Sequence, residues 1–142
     1  MAEALLSHFG GERFLSYSAG SYPTGEVNPL SLATLKRQGI SITGYRSKSW
    51  NDFDNHQIDV VITVCDAAAG ESCPIFPGNP LKAHWGVPDP VNFKGSDQEV
   101  HAEFYRICDI LERRIRALIR LPLAKMDNEE LQEKLHLISE IT

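Results

Sequence analysis

Cysteine is scarce in this chain. There are three in 142 residues, an odd and small number, which excludes the disulfide framework of a small secreted domain. A reducing cytoplasm is the default compartment, and paired cysteines there are redox-active or metal-binding rather than structural. Basic charge is also short, with 14 Lys+Arg against 19 Asp+Glu and a net charge of -5. A dedicated nucleic-acid binder has a basic balance, so no nucleic-acid partner is expected. No apolar run approaches the roughly 20 residues that span a bilayer, and no basic region followed by an apolar stretch marks a signal peptide. No membrane association is expected either. No tract is compositionally biased and no repeat recurs, which excludes fibrous and disordered classes. What remains is 42% hydrophobic and 23% charged, one ordinary domain's worth of sequence.

Apolar spacing predicts a helix over Met1–Phe9, with Met1, Leu5 and Phe9 on one face. Gly10 and Gly11 stop it. Phe14–Ser18 reads as a short strand, and Ala19–Val27 as a loop with Gly20, Pro23 and Gly25. Asn28–Pro29 is a helix start, a capping Asn followed by Pro at the first helical position. Ser49–Asn55 suits one or two helical turns. Ile58–Cys65 is a nearly continuous β-branched run, the pattern of a parallel strand buried on both faces. Ala83–Val87 is a third short strand. Ser96 and Glu99 make a capping box. The helix they open runs to about Leu121, and Pro122 ends it. Asp127–Ile141 is a final amphipathic helix with Leu131, Leu135 and Ile138 on one side.

Helices alternating with strands indicate α/β with a parallel sheet, but two things are lacking. The first helix has no Ser, Thr, Asp or Asn before it to cap it. It also lacks the strand that a crossover helix should follow. The chain reads as starting inside an element.

Several segments, in order, carry a resemblance. They are Met-Ala-Glu-Ala-Leu-Leu (1–6), Tyr-Ser-Ala-Gly (17–20), Val-Asn-Pro (27–29), Gly-Tyr-Arg-Ser-Lys-Ser (44–49), Val-Ile-Thr-Val-Cys (61–65), Cys-Pro (73–74) and His-Trp-Gly-Val-Pro-Asp-Pro (84–90). The chain resembles a thioredoxin- or glutaredoxin-coupled arsenate reductase of the low-molecular-weight protein tyrosine phosphatase-like family. The resemblance implies a three-layer α/β sandwich of the flavodoxin-like class, with a parallel sheet whose first strand is missing here. It implies a reductase-like domain over 1–121, truncated at its N-terminus, and a helical tail over 122–142. It also implies arsenate as substrate, thioredoxin or glutaredoxin as reductant, and no cofactor.

In that family the first strand leads into a Cys-x5-Arg loop at the start of the first helix. Converging N–H groups, the helix dipole and the Arg hold an oxyanion there, and the same field makes the thiol a thiolate. This sequence begins just after the matching position. Neither Cys65 nor Cys73 supplies the loop, because Glu71 and Asn79 stand six residues on. Cys108 and Arg114 match formally, but Asp-Ile-Leu-Glu-Arg lies between them inside a helix whose N–H groups are already bonded. Cys108 reads as a core thiol.

By the resemblance, Asp89 is the general acid that protonates the leaving oxygen. An Asp-Pro turn is the plain alternative. Cys65 and Cys73, eight residues apart, take the disulfide relay by the same resemblance. A strand-end thiol beside a loop thiol remains open, as does a zinc site with His84, although the spacing fits no standard zinc pattern. Tyrosine phosphatases of this fold place aromatic residues just after Asp-Pro. Here Val91-Asn92-Phe93 follow, which favours arsenate over phosphotyrosine. A phosphatase and a non-catalytic truncated product stand as alternatives. Asn28 reads as a cap, Ser18 as loop packing, and His84 and Trp85 as packing near the site. Arg113, Arg114, Arg116 and Arg120 read as a solvated helix face.

Overall fold

A computed structural model describes residues 1–65 and 75–142 of the chain. Helix α1 (Ala2–Gly10) closes at Gly11, whose φ of 56° is open to glycine and strained for other residues. Its N-terminal residue Met1 provides no side-chain cap, as its sequence implies. Helix α2 (Pro29–Arg37) starts where Asn28 accepts from the N–H groups of Leu30 and Ser31, at 2.9 and 3.3 Å. A short 3-10 turn, Trp50–Phe53, is capped by Ser49. Strands β1 (Val60–Thr63) and β2 (Leu81–His84) are parallel, with Val60 opposite Leu81 and Thr63 opposite His84. Helix α3 (Asp97–Ile119) opens on the Ser96–Glu99 capping box, and α4 (Asn128–Ser139) on a second box from Asp127 and Glu130.

Apolar burial joins these elements. Leu5 of α1, Leu35 of α2, Ile107 and Leu111 of α3, Leu135 of α4, and Trp85 just beyond β2 belong to one buried cluster. Helix α3 is its axis. Phe104, Ile107, Cys108, Leu111, Ile115 and Leu118 recur along it at helical spacing and are all buried. α1 and α2 pack on this stripe, and α4 packs on both α3 and β2.

Three expectations need correction. The strand expected at Phe14–Ser18 does not form. The backbone at Phe14 is extended, but only Gly20 makes a bridge, to Ser49. A strand needs a neighbour to take its N–H and C=O groups. Serine hydroxyls pin this segment to α1 instead: Ser16 bonds Ser7 at 2.6 Å and donates to the Glu3 carbonyl at 3.1 Å. The sheet therefore has two strands among the described residues. The last strand also sits earlier than expected, because the regular ladder ends after Trp85 N–H bonds Thr63: the next bond, Val87 N–H to Val64, advances two residues on one side and one on the other.

The third correction concerns Arg114. It is not on a solvated face but 4% exposed. It stands three residues after Leu111 and four before Leu118, which puts it on the apolar stripe. Arg113 and Arg116 do face outward, paired with Asp109 and Glu112.

Candidate functional site

The sheet presents its carboxyl ends, and the segments leaving β1 and β2 there carry the two candidate residues that the structure describes. Cys65 follows β1 by two residues and is half-buried. Asp89 ends the segment that leaves β2 and is exposed. Both line one cavity of about 140 Å³, closed by Met1 and Ala2 at the N-terminal end of α1 and by Ile107 and Leu111 of α3. The positive end of the α1 dipole thus borders the space that the thiol and the carboxyl share. Carboxyl ends of parallel strands are where open α/β sheets bind ligands. Cys73 lies outside the described residues.

Asp89 also fills the plain role anticipated for an Asp-Pro pair. Its Oδ1 accepts from the Val91 N–H at 3.0 Å and caps the 3-10 turn Pro90–Asn92. That bond fixes the side chain at the cavity rim. Pro90 is buried beneath it. The next link back, Val87 N–H to the Val64 carbonyl at 2.9 Å, ties this segment to the residue before Cys65. His84 reaches back to Thr63, its Nδ1 2.8 Å from Oγ1, across the register pair. Trp85 is buried, and its indole N–H donates to the Leu135 carbonyl at 2.9 Å, so its role is packing, as expected.

Cys108 and Arg114 do not form an anion loop. The Cys108 thiol is fully buried, and its Sγ donates to Gln38 Oε1 at 3.4 Å. Burial, the first cause, pushes its pKa up to about 11, so it stays a protonated core thiol. Arg114 donates to carbonyl oxygens of Trp85, Gly86 and Ile141 at 2.7, 3.3 and 2.9 Å, so its Nε and Nη1 are spent on backbone. Burial also lowers its pKa from the usual guanidinium value.

A second group of polar residues escaped the sequence reading. Glu3, in the first turn of α1, pairs with the buried Lys48 at 3.2 Å. It also accepts from the Ser18 hydroxyl at 2.5 Å. Lys48 adds a bond to the Arg46 carbonyl at 3.2 Å. Ser18 thus packs the loop against α1, as anticipated. The pairing spans 45 positions, and no local pattern announces it. Among the described residues no group of three or more His, Cys, Asp or Glu stands together as metal ligands do. No helix among them is long and apolar enough to cross a membrane.

Comparisons with known proteins bear on the family and the fold. The family model for low molecular weight phosphotyrosine protein phosphatase matches residues 1–136. The arsenate reductase of Halalkalibacterium halodurans is 35% identical over 116 residues, covering 82% of each chain. That of Staphylococcus xylosus is 38% identical over 112 residues, covering 77% of each. Among solved structures, an arsenate reductase in its oxidized state superposes with a TM-score of 0.66, at 23% identity, over 83% of this chain and 84% of that one. A thioredoxin-dependent arsenate reductase of Corynebacterium glutamicum has a TM-score of 0.54 at 32% identity, covering 81% of this chain and 53% of the other. The parallel sheet, the helices packed on it and the extent of these matches lead to one conclusion: the chain belongs to the low molecular weight phosphotyrosine protein phosphatase family and is similar to its arsenate reductases.

Proposed function

We propose that this chain carries the proton-donating and thiol-relay residues of an arsenate reductase. The observation that supports the reading is that Cys65 and Asp89 share one cavity at the N-terminal end of α1. In the proposed reaction a nucleophilic thiolate displaces an oxygen of arsenate. Asp89 gives that oxygen its proton, and it leaves as water. The Cys65 thiolate then attacks the sulfur that bears arsenic. The sulfur–arsenic electron pair goes to arsenic, which leaves as arsenite, and a disulfide remains. Cys73 attacks Cys65, frees the nucleophile, and presents a Cys65–Cys73 disulfide to a dithiol reductant, thioredoxin or glutaredoxin. Such a cycle belongs to a reducing, cytoplasmic compartment.

The nucleophile of that scheme needs a Cys-x5-Arg loop, and Cys108 with Arg114 cannot supply one. We therefore propose that these 142 residues alone do not turn arsenate over. The test pairs two proteins: the 142-residue chain, and the same chain preceded by a strand and a Cys-x5-Arg loop. Arsenite release is followed with each reductant. The reading expects no turnover from the first and reductant-dependent turnover from the second, lost in Cys65→Ser. Turnover by the first protein sinks the inactivity claim. Hydrolysis of a phosphate ester by the second, with no arsenite formed, replaces the reductase with a phosphatase.

A further inference from the structure

Arg114 presents a physical problem that the relay chemistry does not solve. Its guanidinium is buried, yet no carboxylate pairs with it among the described residues. Its hydrogen-bond partners are carbonyl oxygens, of Trp85, Gly86 and Ile141. A buried charge without a counter-ion is costly, and an apolar side chain of similar volume often serves stability as well or better. What an arginine does there that an apolar residue cannot is hold several oxygens at fixed positions with one planar group.

The held oxygens belong to two pieces of chain. Ile141 lies just past the end of α4. Trp85 and Gly86 begin the segment that ends at Asp89. The tail meets this segment and the strand before it at two further bonds. The Trp85 indole donates to the Leu135 carbonyl, and the Gln132 side-chain amide donates to the Lys82 carbonyl at 2.8 Å. The Lys82 bond lies on the edge of β2 away from β1, since Leu81 and Trp85 direct their N–H groups to β1. On the cavity side, Val87 is bonded to Val64, next to Cys65.

We propose that Arg114 is a positioning residue for Asp89, and that it and α4 together form a brace that sets the Trp85–Asp89 segment against the Cys65 strand. Asp89 counts as proton donor here on the functional reading above, but the mechanical part of the proposal stands apart from it. The 122–142 tail is then a working part of the site rather than an appendage.

The test is amide hydrogen exchange on the full 142-residue chain, comparing the wild type with Arg114→Met and Arg114→Lys. The N–H groups of Val87, Val91 and Asn92 report the segment, and those of Ile107 and Leu111 in α3 report global opening. In Arg114→Met the segment is expected to exchange about tenfold faster relative to α3, the loss of hydrogen bonds to a charged donor. Arg114→Lys, which keeps a buried donor, restores part of that protection. Unchanged ratios in Arg114→Met overturn the brace. If that variant fails to fold, Trp85→Phe, which removes the indole donor along with part of the ring, decides. Faster relative exchange of the segment in it supports the brace, and no change overturns it. Turnover by the loop-completed chain separates the two layers. Asp89→Asn with undiminished turnover removes the proton-donor reading while the exchange result still judges the brace.

Discussion

Two regions of this small fold are held together by opposite means. On the β2 edge, α4 lies against the strand, Gln132 takes an outward carbonyl, and Trp85, Leu135 and Ile138 are buried around it. Strand burial itself does not separate the two sides, since β1 is half-buried throughout and β2 alternates half-buried with exposed; the difference is that among the described residues no helix packs on β1 as α4 packs on β2. A separate segment, Phe14–Gly20, is held by serine hydroxyls, the Glu3–Lys48 pair and a single bridge to Ser49. Burial carries the first region, and directed polar contacts carry the second. In the proposed chemistry this division has a use. Asp89, which has to stay in place, hangs from the packed side. Cys65, which has to exchange partners, ends the lightly packed strand.

The comparison is sharpest in core truncation. Leu135 is fully buried at the packed edge, and Leu135→Ala is expected to cost about 3–5 kcal/mol. Ile62, half-buried on β1, is expected to cost only about 1 kcal/mol on truncation to Ala. Urea unfolding midpoints measure both. Equal losses would end the distinction between the two regions.

On the open side, the largest loss should come from leaving a charge alone. Glu3→Gln removes the carboxylate from a lysine whose side chain is 7% exposed, and is expected to cost about 3 kcal/mol. Lys48→Met removes the buried charge itself and leaves Glu3 with Ser18 and partial solvent, so its cost should be under about 1 kcal/mol. The two unfolding curves check this order. If Lys48→Met proves the worse of the two, the pair is not what holds the open side.

The packed region was the legible one. The stripe on α3, the Ser96–Glu99 box and the Asn28 cap follow from periodicity and local hydrogen bonding and stand in the structure, while the β1 run forms a shorter strand, Val60–Thr63, that is half-buried rather than buried on both faces. Cys65 and Asp89 were named from ordered segments of resemblance, and the fold brings them to one cavity. What stayed illegible depends on distant partners. Phe14–Ser18 has strand composition, but composition does not provide a neighbour to pair with. The Glu3–Lys48 pair joins residues that no local pattern connects. Arg114 was misplaced for a different reason. Its charge suggested solvent, while its spacing from Leu111 and Leu118 already put it on the buried stripe, and spacing should have outweighed charge.

The smallest effect separates the regions by thiol chemistry. Cys108 lies in the packed region with its pKa pushed up to about 11 by burial, from an ordinary 9.0. Cys65 is half-buried beside the open strand. The thiolate is the reactive form, so a short native-state pulse of iodoacetamide at about pH 8 should label Cys65 and spare Cys108, as read by peptide mass spectrometry. The same shift links to stability. A folded-state pKa above the unfolded one gives a contribution that is whole below pH 9.0 and lost as pH rises through about 11, worth at most about 3 kcal/mol. Cys108→Ala should lose some stability at neutral pH and show a shallower decline between those two pH values than the parent protein. Equal labelling of the two cysteines, with parallel declines, would mean that the packed region opens as readily as the lightly packed one.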